Sequence, residues 1–378
     1  MPEPRPGRPG RAHRAGPPPG IVPTIAALVV SAPLAIGCAA GPATADRVAE
    51  SEPTGEIART GAADPDGTDA LPAVRALPTP PAPTRPRRIG ELGDPDLLET
   101  SGLASAPRES RALWAVNDSG AGPVLHALTL QGAALGSVRL DVPAHDWEDL
   151  AAATLAGVPT LAVADTGDNR RRRERATIHL VAEPDLPDGP GAGDAAPVSP
   201  YATLRFGYED GPQDVESLAW ADGAFWLLSK APPAGGEPSG SGVYRLDLPE
   251  ATLREAIDAR ARGADPPRAL ARRVATLPAR PATLATRLAL SLAGVDLNHP
   301  TALDIDEARG IAWVLTYREV LRFDRRGDES WASALSRAGT PVHAHSLPQA
   351  EALAATPEGL VVFTSEGRGA PLIGLVAR

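Results

Sequence analysis

One short pattern recurs five times in this chain, and that periodicity limits the fold more than any other feature. A polar turn runs into a leucine and small apolar residues at Glu99-Thr100-Ser101-Gly102-Leu103-Ala104 and again at Asp146-Trp147-Glu148-Asp149-Leu150-Ala151. The other copies are Asp214-Val215-Glu216-Ser217-Leu218-Ala219, His299-Pro300-Thr301-Ala302-Leu303-Asp304 and Gln349-Ala350-Glu351-Ala352-Leu353-Ala354. After each copy come a turn, a run apolar on both faces such as Ile311-Ala312-Trp313-Val314-Leu315, and a third run such as Gly242-Val243-Tyr244-Arg245-Leu246. A fourth run is visible in Gly136–Leu140, Ala202–Phe206 and Arg272–Leu277.

Short runs bounded by turn residues, with no helix between them, indicate an all-β chain. A second strand apolar on both faces must lie in a sheet that is covered on both sides. Four-stranded sheets stacked around an axis meet that condition, so the pattern predicts a β-propeller of five four-stranded blades. A sixth blade would have to come from residues 249–295. The last copy lacks a fourth strand, and Arg88-Ile89-Gly90-Glu91-Leu92 is placed to supply it. Closure by this N-terminal strand would hide two sheet edges. Short helical insertions are expected at 249–262 and from Asp328, as the cap, through Ala338. Residues 185–200 read as a Pro/Gly/Asp loop, and 281–295 fit either helix or strand.

The start of the chain has a different character. Arg5, Arg8, Arg11 and Arg14 precede an apolar run from Ile21 to Gly37, which ends at Cys38, the sole cysteine. This resembles a bacterial lipoprotein signal, and cleavage after residue 37 would expose Cys38 for lipidation; simple secretion is the alternative. Residues 38–87 are rich in Pro and Ala and lack apolar periodicity, so they read as a disordered tether ahead of a domain at 88–378. The expected location is therefore the cell envelope, on a membrane through a lipid anchor. A single cysteine excludes an intrachain disulfide and a cysteine-based zinc site. The net charge of -10 argues against nucleic acid as a partner.

In a propeller the first strand of each blade lines the central channel. The residue two before the aligned leucine then forms a ring: Ser101, Glu148, Glu216, Thr301 and Glu351. Three carboxylates around one axis repel each other, and a hard cation such as Ca2+ relieves that with six to eight oxygen ligands. The alternative is a hydrated channel in which the glutamates are protonated or paired to Lys230 or an arginine. Behind the ring stand Glu99, Asp146, Asp214, His299 and Gln349, of which Asp146 and Asp214 are the candidate general bases. The ends of the second strands add Asn117, Asp118, Asp168, Asn169 and Lys230, the only lysine, as candidate ligand-binding groups. Lys230 and the run Arg170–Arg173 point to a small anionic ligand, and a protein partner is the other possibility. No pattern calls for an organic cofactor, and nothing fixes the oligomeric state.

Two resemblances follow from these motifs. The ring order Ser, Glu, Glu, Thr, Glu, with Glu99-Thr-Ser101-Gly-Leu103 ahead of Val116-Asn117-Asp118-Ser119-Gly120, is similar to the calcium-activated nucleotidases (apyrases). That likeness implies a calcium in the channel of a five-bladed propeller and a metal-dependent hydrolase. The folded part also resembles a group of bacterial secreted or lipoprotein propellers with Ser-Gly-Leu, Asn-Asp-Ser-Gly, Asp-Trp-Glu-Asp and Gly-Asp-Asn motifs. Residues 101–103, 117–120, 146–149 and 167–169 carry them here.

Overall fold

The computed structural model describes residues 85–378 apart from 110, 119, 188–195, 232–239, 282–295 and 377–378. The expected signal, Cys38, all but the last three residues of the tether, half of the loop at 185–200 and nearly all of the ambiguous segment at 281–295 lie outside the described residues.

The described chain begins with β1 (Arg87–Glu91). The first unit is β2 (Thr100–Ser105), β3 (Ala112–Asn117), β4 (Val124–Thr129) and β5 (Ala134–Arg139), hydrogen-bonded in that order. The second is β6 (Trp147–Leu155), β7 (Val158–Asp165), β8 (Ala176–Ala182) and β9 (Ala202–Tyr208). The third is β10 (Val215–Ala221), β11 (Ala224–Ser229), β12 (Ser241–Asp247) and β13 (Arg268–Leu277), with helix α1 (Glu250–Ala261) before its last strand. The fourth is β14 (Pro300–Asp306), β15 (Ile311–Thr316), β16 (Glu319–Asp324) and β17 (Thr340–Ala344), with helix α2 (Trp331–Leu335) inserted. The fifth is β18 (Ala352–Ala355), β19 (Leu360–Thr364) and β20 (Pro371–Val376), and β1 completes it by pairing antiparallel with β20.

The core shows how these units close. It divides into five layers, and each layer lies between two neighbouring units. Leu103, Trp114 and Leu125 of the first unit pack in two such layers, one shared with the fifth unit and one with Trp147, Leu161 and Val163 of the second. The remaining layers join the second unit to the third, the third to the fourth, and the fourth to the fifth. The central strands β3, β11 and β15 are buried along their whole length, as a sheet covered on both faces requires. Trp114, Trp226 and Trp313 occupy one equivalent position, each on the second strand just before the residue opposite the aligned leucine. The described residues form a nearly all-β propeller, and within 249–295, the segment offered for a sixth blade, α1 and the fourth strand of the third unit take up Glu250–Ala261 and Arg268–Leu277.

Two details differ from expectation. β13 starts at Arg268, before the expected Arg272, because its first four residues pair in parallel with β9 while Arg272–Leu277 pair with β12. That strand joins two units into one eight-stranded sheet. The second insertion is shorter than read and is capped by Ser330, whose hydroxyl accepts from the Ser333 amide. Asp328 lies two residues before the cap.

Candidate functional site

An unbroken first strand would put the ring residue on the same face as the aligned leucine, buried between units, because side chains alternate with period two. The structure breaks that alternation. In four units the pairing of the first two strands slips by one residue, and the residue skipped is Ser101, Glu148, Glu216 or Thr301. A bulge of this kind re-aims the side chain it carries. In the fifth unit Glu351 sits just before β18, ahead of the first paired residue. A second recurrent contact ties the strand ends together. The amides of Asp118, Thr166, Lys230 and Glu366 donate to the carbonyls of Glu99, Asp146, Asp214 and Gln349, at 2.8, 3.1, 2.8 and 3.1 Å. In these four units it holds the start of the first strand beside the end of the second, and so gathers the two polar sets at one mouth.

Among the described residues this mouth contains two carboxylate triads that share Glu148. Asp118, Asp146 and Glu148 form one, and Glu148, Asp214 and Glu216 the other; within each, ligand atoms lie within 4.8 Å of one another. Gly167 makes the convergence sterically possible. A Cβ there would stand 2.0 Å from Glu148 Oε1 and 2.6 Å from Asp146 Oδ2. The Asp168 amide holds Asp214 Oδ1 at 2.9 Å. Lys230 Nζ lies 2.6 Å from Glu216 Oε1, so the second triad already has a cation against it.

Burial dominates the electrostatics. It pushes Glu148 well above the usual carboxylate range, with Glu216 and Asp118 adding to the shift. It raises Glu216 to about 8 despite the opposing Lys230 ammonium. Asp146 is raised to about 6, by burial first and then by Asp118. Burial works against the Lys230 ammonium too, but Glu216, Asp214 and Glu148 together outweigh it and hold the proton on more tightly. Both triads are thus short of positive charge.

The other expected ring members are engaged differently. Glu351 accepts from the Tyr317 hydroxyl at 2.8 Å and is raised by burial and by Glu366. The Ser101 hydroxyl donates to the Glu148 carbonyl at 2.6 Å, and that of Thr301 to the Ala350 carbonyl at 2.7 Å. Asn117 is committed to the backbone: its Oδ1 accepts from the Leu98 and Glu99 amides and its Nδ2 donates to the Asp96 carbonyl. Asp168 Oδ2 accepts from the Arg172 and Arg173 amides. Asn169 and Glu99 are exposed. His299 is half-buried 3.9 Å from Asp296, with its imidazole pulled down to about 4 by burial. Trp147 packs between the first two units.

Several residues of the site have roles that sequence reasoning did not assign. Gly167 reads as an ordinary hairpin glycine within Asp165-Thr-Gly-Asp168-Asn169, and nothing local says that two carboxylates lie against it. Arg173 donates to the Asp165 carboxylate at 2.6 Å and to the Gly167 carbonyl at 2.7 Å, so it braces the loop from inside. Asp165 also holds the exposed His145 through Nδ1 at 3.1 Å, next to Asp146. Further along the channel, Asp149 accepts from the Leu150 and Leu218 amides at 2.8 and 2.7 Å. Asp304 accepts from Ile305 and Ala355, both at 2.7 Å. The amides they satisfy belong to β6, β10, β14 and β18, each the end strand of its sheet.

No family model matches the chain, and no curated protein is similar to it. Similar solved structures include the PQQ-bound aldose sugar dehydrogenase of Streptomyces coelicolor, at 12% identity and a TM-score of 0.38, over 79% of this chain and 100% of that one. A glucose dehydrogenase is similar at 11% identity and a TM-score of 0.36, over 78% of this chain and 100% of that one. Raptor of Chaetomium thermophilum is similar at 13% identity and a TM-score of 0.36, over 77% of this chain and 29% of its own.

Proposed function

We propose that the chain is an exported, envelope-anchored propeller that binds one calcium-type cation at Asp118, Asp146 and Glu148 and presents this acidic mouth to a small ligand or partner. The observation that carries the reading is the convergence of Asp146 and Glu148 over Gly167, with Asp118 completing the triad. Oxygen donors alone, flexible in number and open to water, suit calcium better than zinc, and magnesium demands a stricter octahedron. Of the five ring residues only Glu148 belongs to this triad, so the ion would sit off the axis. Calcium titration of the full chain should give one ion per chain, with binding lost in Asp146→Asn; no uptake by the wild type would refute the reading. Anchoring rests on the Cys38 context, and Cys38→Ser should move the protein from the membrane to the soluble fraction.

A second reading is a calcium-dependent hydrolase for phosphorylated or ester substrates. It is favoured by Asp214, a candidate general base that lies against the shared Glu148 but outside the proposed cation triad. Exposed Arg170 and Arg172 lie on the loop that starts at Gly167 and would meet an anionic group. Turnover of nucleoside diphosphates or lactones, abolished by Asp214→Asn while calcium uptake stays that of the wild type, would support it; a broad ester panel left untouched by calcium-loaded protein would sink it.

A further inference from the structure

Lys230 is the only lysine, and every other of the 37 Lys and Arg residues is arginine. Its backbone is held from both sides: its amide donates to the Asp214 carbonyl at 2.8 Å, and its own carbonyl accepts from Arg171 Nη2 at 2.7 Å. Arg171 makes that contact from a left-handed backbone with φ 48°, a conformation that costs a non-glycine residue energy and shows how firmly the loop is set. The side chain starts from this fixed point at the end of β11 and runs to Glu216, on the bulge of the neighbouring β10 in the same unit. The lysine side chain is 18% exposed, and that of the glutamate it meets is 3% exposed. An ammonium is a compact point charge, whereas a guanidinium is planar and broader. In a chain that otherwise uses arginine, the compact cation stands where, among the described residues, three buried carboxylates meet.

We propose that the Lys230 ammonium is the resident cation of the Glu148–Asp214–Glu216 triad, so that it confines a divalent ion to Asp118–Asp146–Glu148 and sets the capacity of the mouth at one. The inference rests on the cation reading above and adds a residue that decides how many ions enter and where. A divalent ion in the second triad would have to stand against the ammonium, and in a buried setting like charges so close lower the occupancy by orders of magnitude. With the ammonium gone, two ions bridged by the shared Glu148 become compatible, as in two-metal sites with ions about 4 Å apart.

The test is calorimetric calcium titration of the full chain as wild type, Lys230→Met and Lys230→Arg, with folding checked by circular dichroism. The expected stoichiometries are one, two and one, and the first site of Lys230→Met should tighten on the order of tenfold because a neighbouring positive charge is gone. Lys230→Gln replaces the methionine variant if that one fails to fold. One ion in Lys230→Met at unchanged affinity overturns the role of Lys230 and leaves the cation reading standing. Two ions in Lys230→Arg also overturn it, since charge would then not be the cause. An ion bound by Lys230→Met and none by the wild type overturns the confinement to the first triad. No ion in either removes the cation reading itself, and this inference with it.

Discussion

Gly167 is the residue on which the site geometry turns. Any side chain there displaces the Glu148 and Asp146 carboxylates, which approach to 2.0 and 2.6 Å of the position a Cβ would take. Metal sites tolerate misplacements of only about 0.5 Å. Gly167→Ala should therefore weaken calcium binding by at least about tenfold, read by titration, while far-ultraviolet dichroism stays that of the wild type. Asp304 makes a separate claim about pH. Burial raises it from 3.8 to about 6, against the hydrogen bonds from Ala355 and Ile305. Because the folded value lies above the unfolded one, the folded chain holds the proton more tightly. The contribution is fully present below about pH 4 and is lost as pH rises through about 6. A shift of this size corresponds to roughly 2–3 kcal/mol. Asp304→Asn should flatten the fall in stability between pH 4 and 6 measured by urea unfolding; an unchanged slope would show that the carboxyl titrates normally.

The strand plan was legible in the sequence because it rests on alternation and turn residues, both local. The leucines of the repeat, the doubly apolar second strands and the closing role of β1 all follow from that pattern. The bulges were not legible. A slip of one residue leaves no mark on composition, and no single residue type signals it, since the bulged residue is Ser, Glu, Glu or Thr. The ring positions could therefore be named, but not the triads, since Asp146 and Asp118 come together with Glu148 only once Gly167 lets them. β17 is only weakly announced: its five residues include a proline and are mostly exposed, so no apolar alternation marks it. At this scale β1 carries a prediction. It covers the edge of β20, and removing residues 1–91 leaves that edge open for pairing with another chain. The truncated protein should melt several degrees lower and elute as oligomers on size exclusion. A monomer with unchanged melting would show that closure contributes nothing.

The described residues form five interlocked core layers between successive units, with the charge problem collected at one mouth. The layers supply the rigidity, and the carboxylates there oppose it. Glu148, Asp146, Glu216 and Glu351 are all raised by burial. Metal-free protein should then be strained at neutral pH, and a divalent ion would relieve the strain in the way protons do at low pH. The most direct measurement is the melting temperature of the full chain at pH 7.5, in excess calcium and in chelator, for the wild type and Glu148→Gln. At about 100 times the dissociation constant, a bound ion stabilises the folded state by about 2.7 kcal/mol. For a propeller of this size that is a rise of about 5 °C in the wild type. Glu148→Gln should show no rise. Equal melting of the wild type in calcium and in chelator would contradict the account.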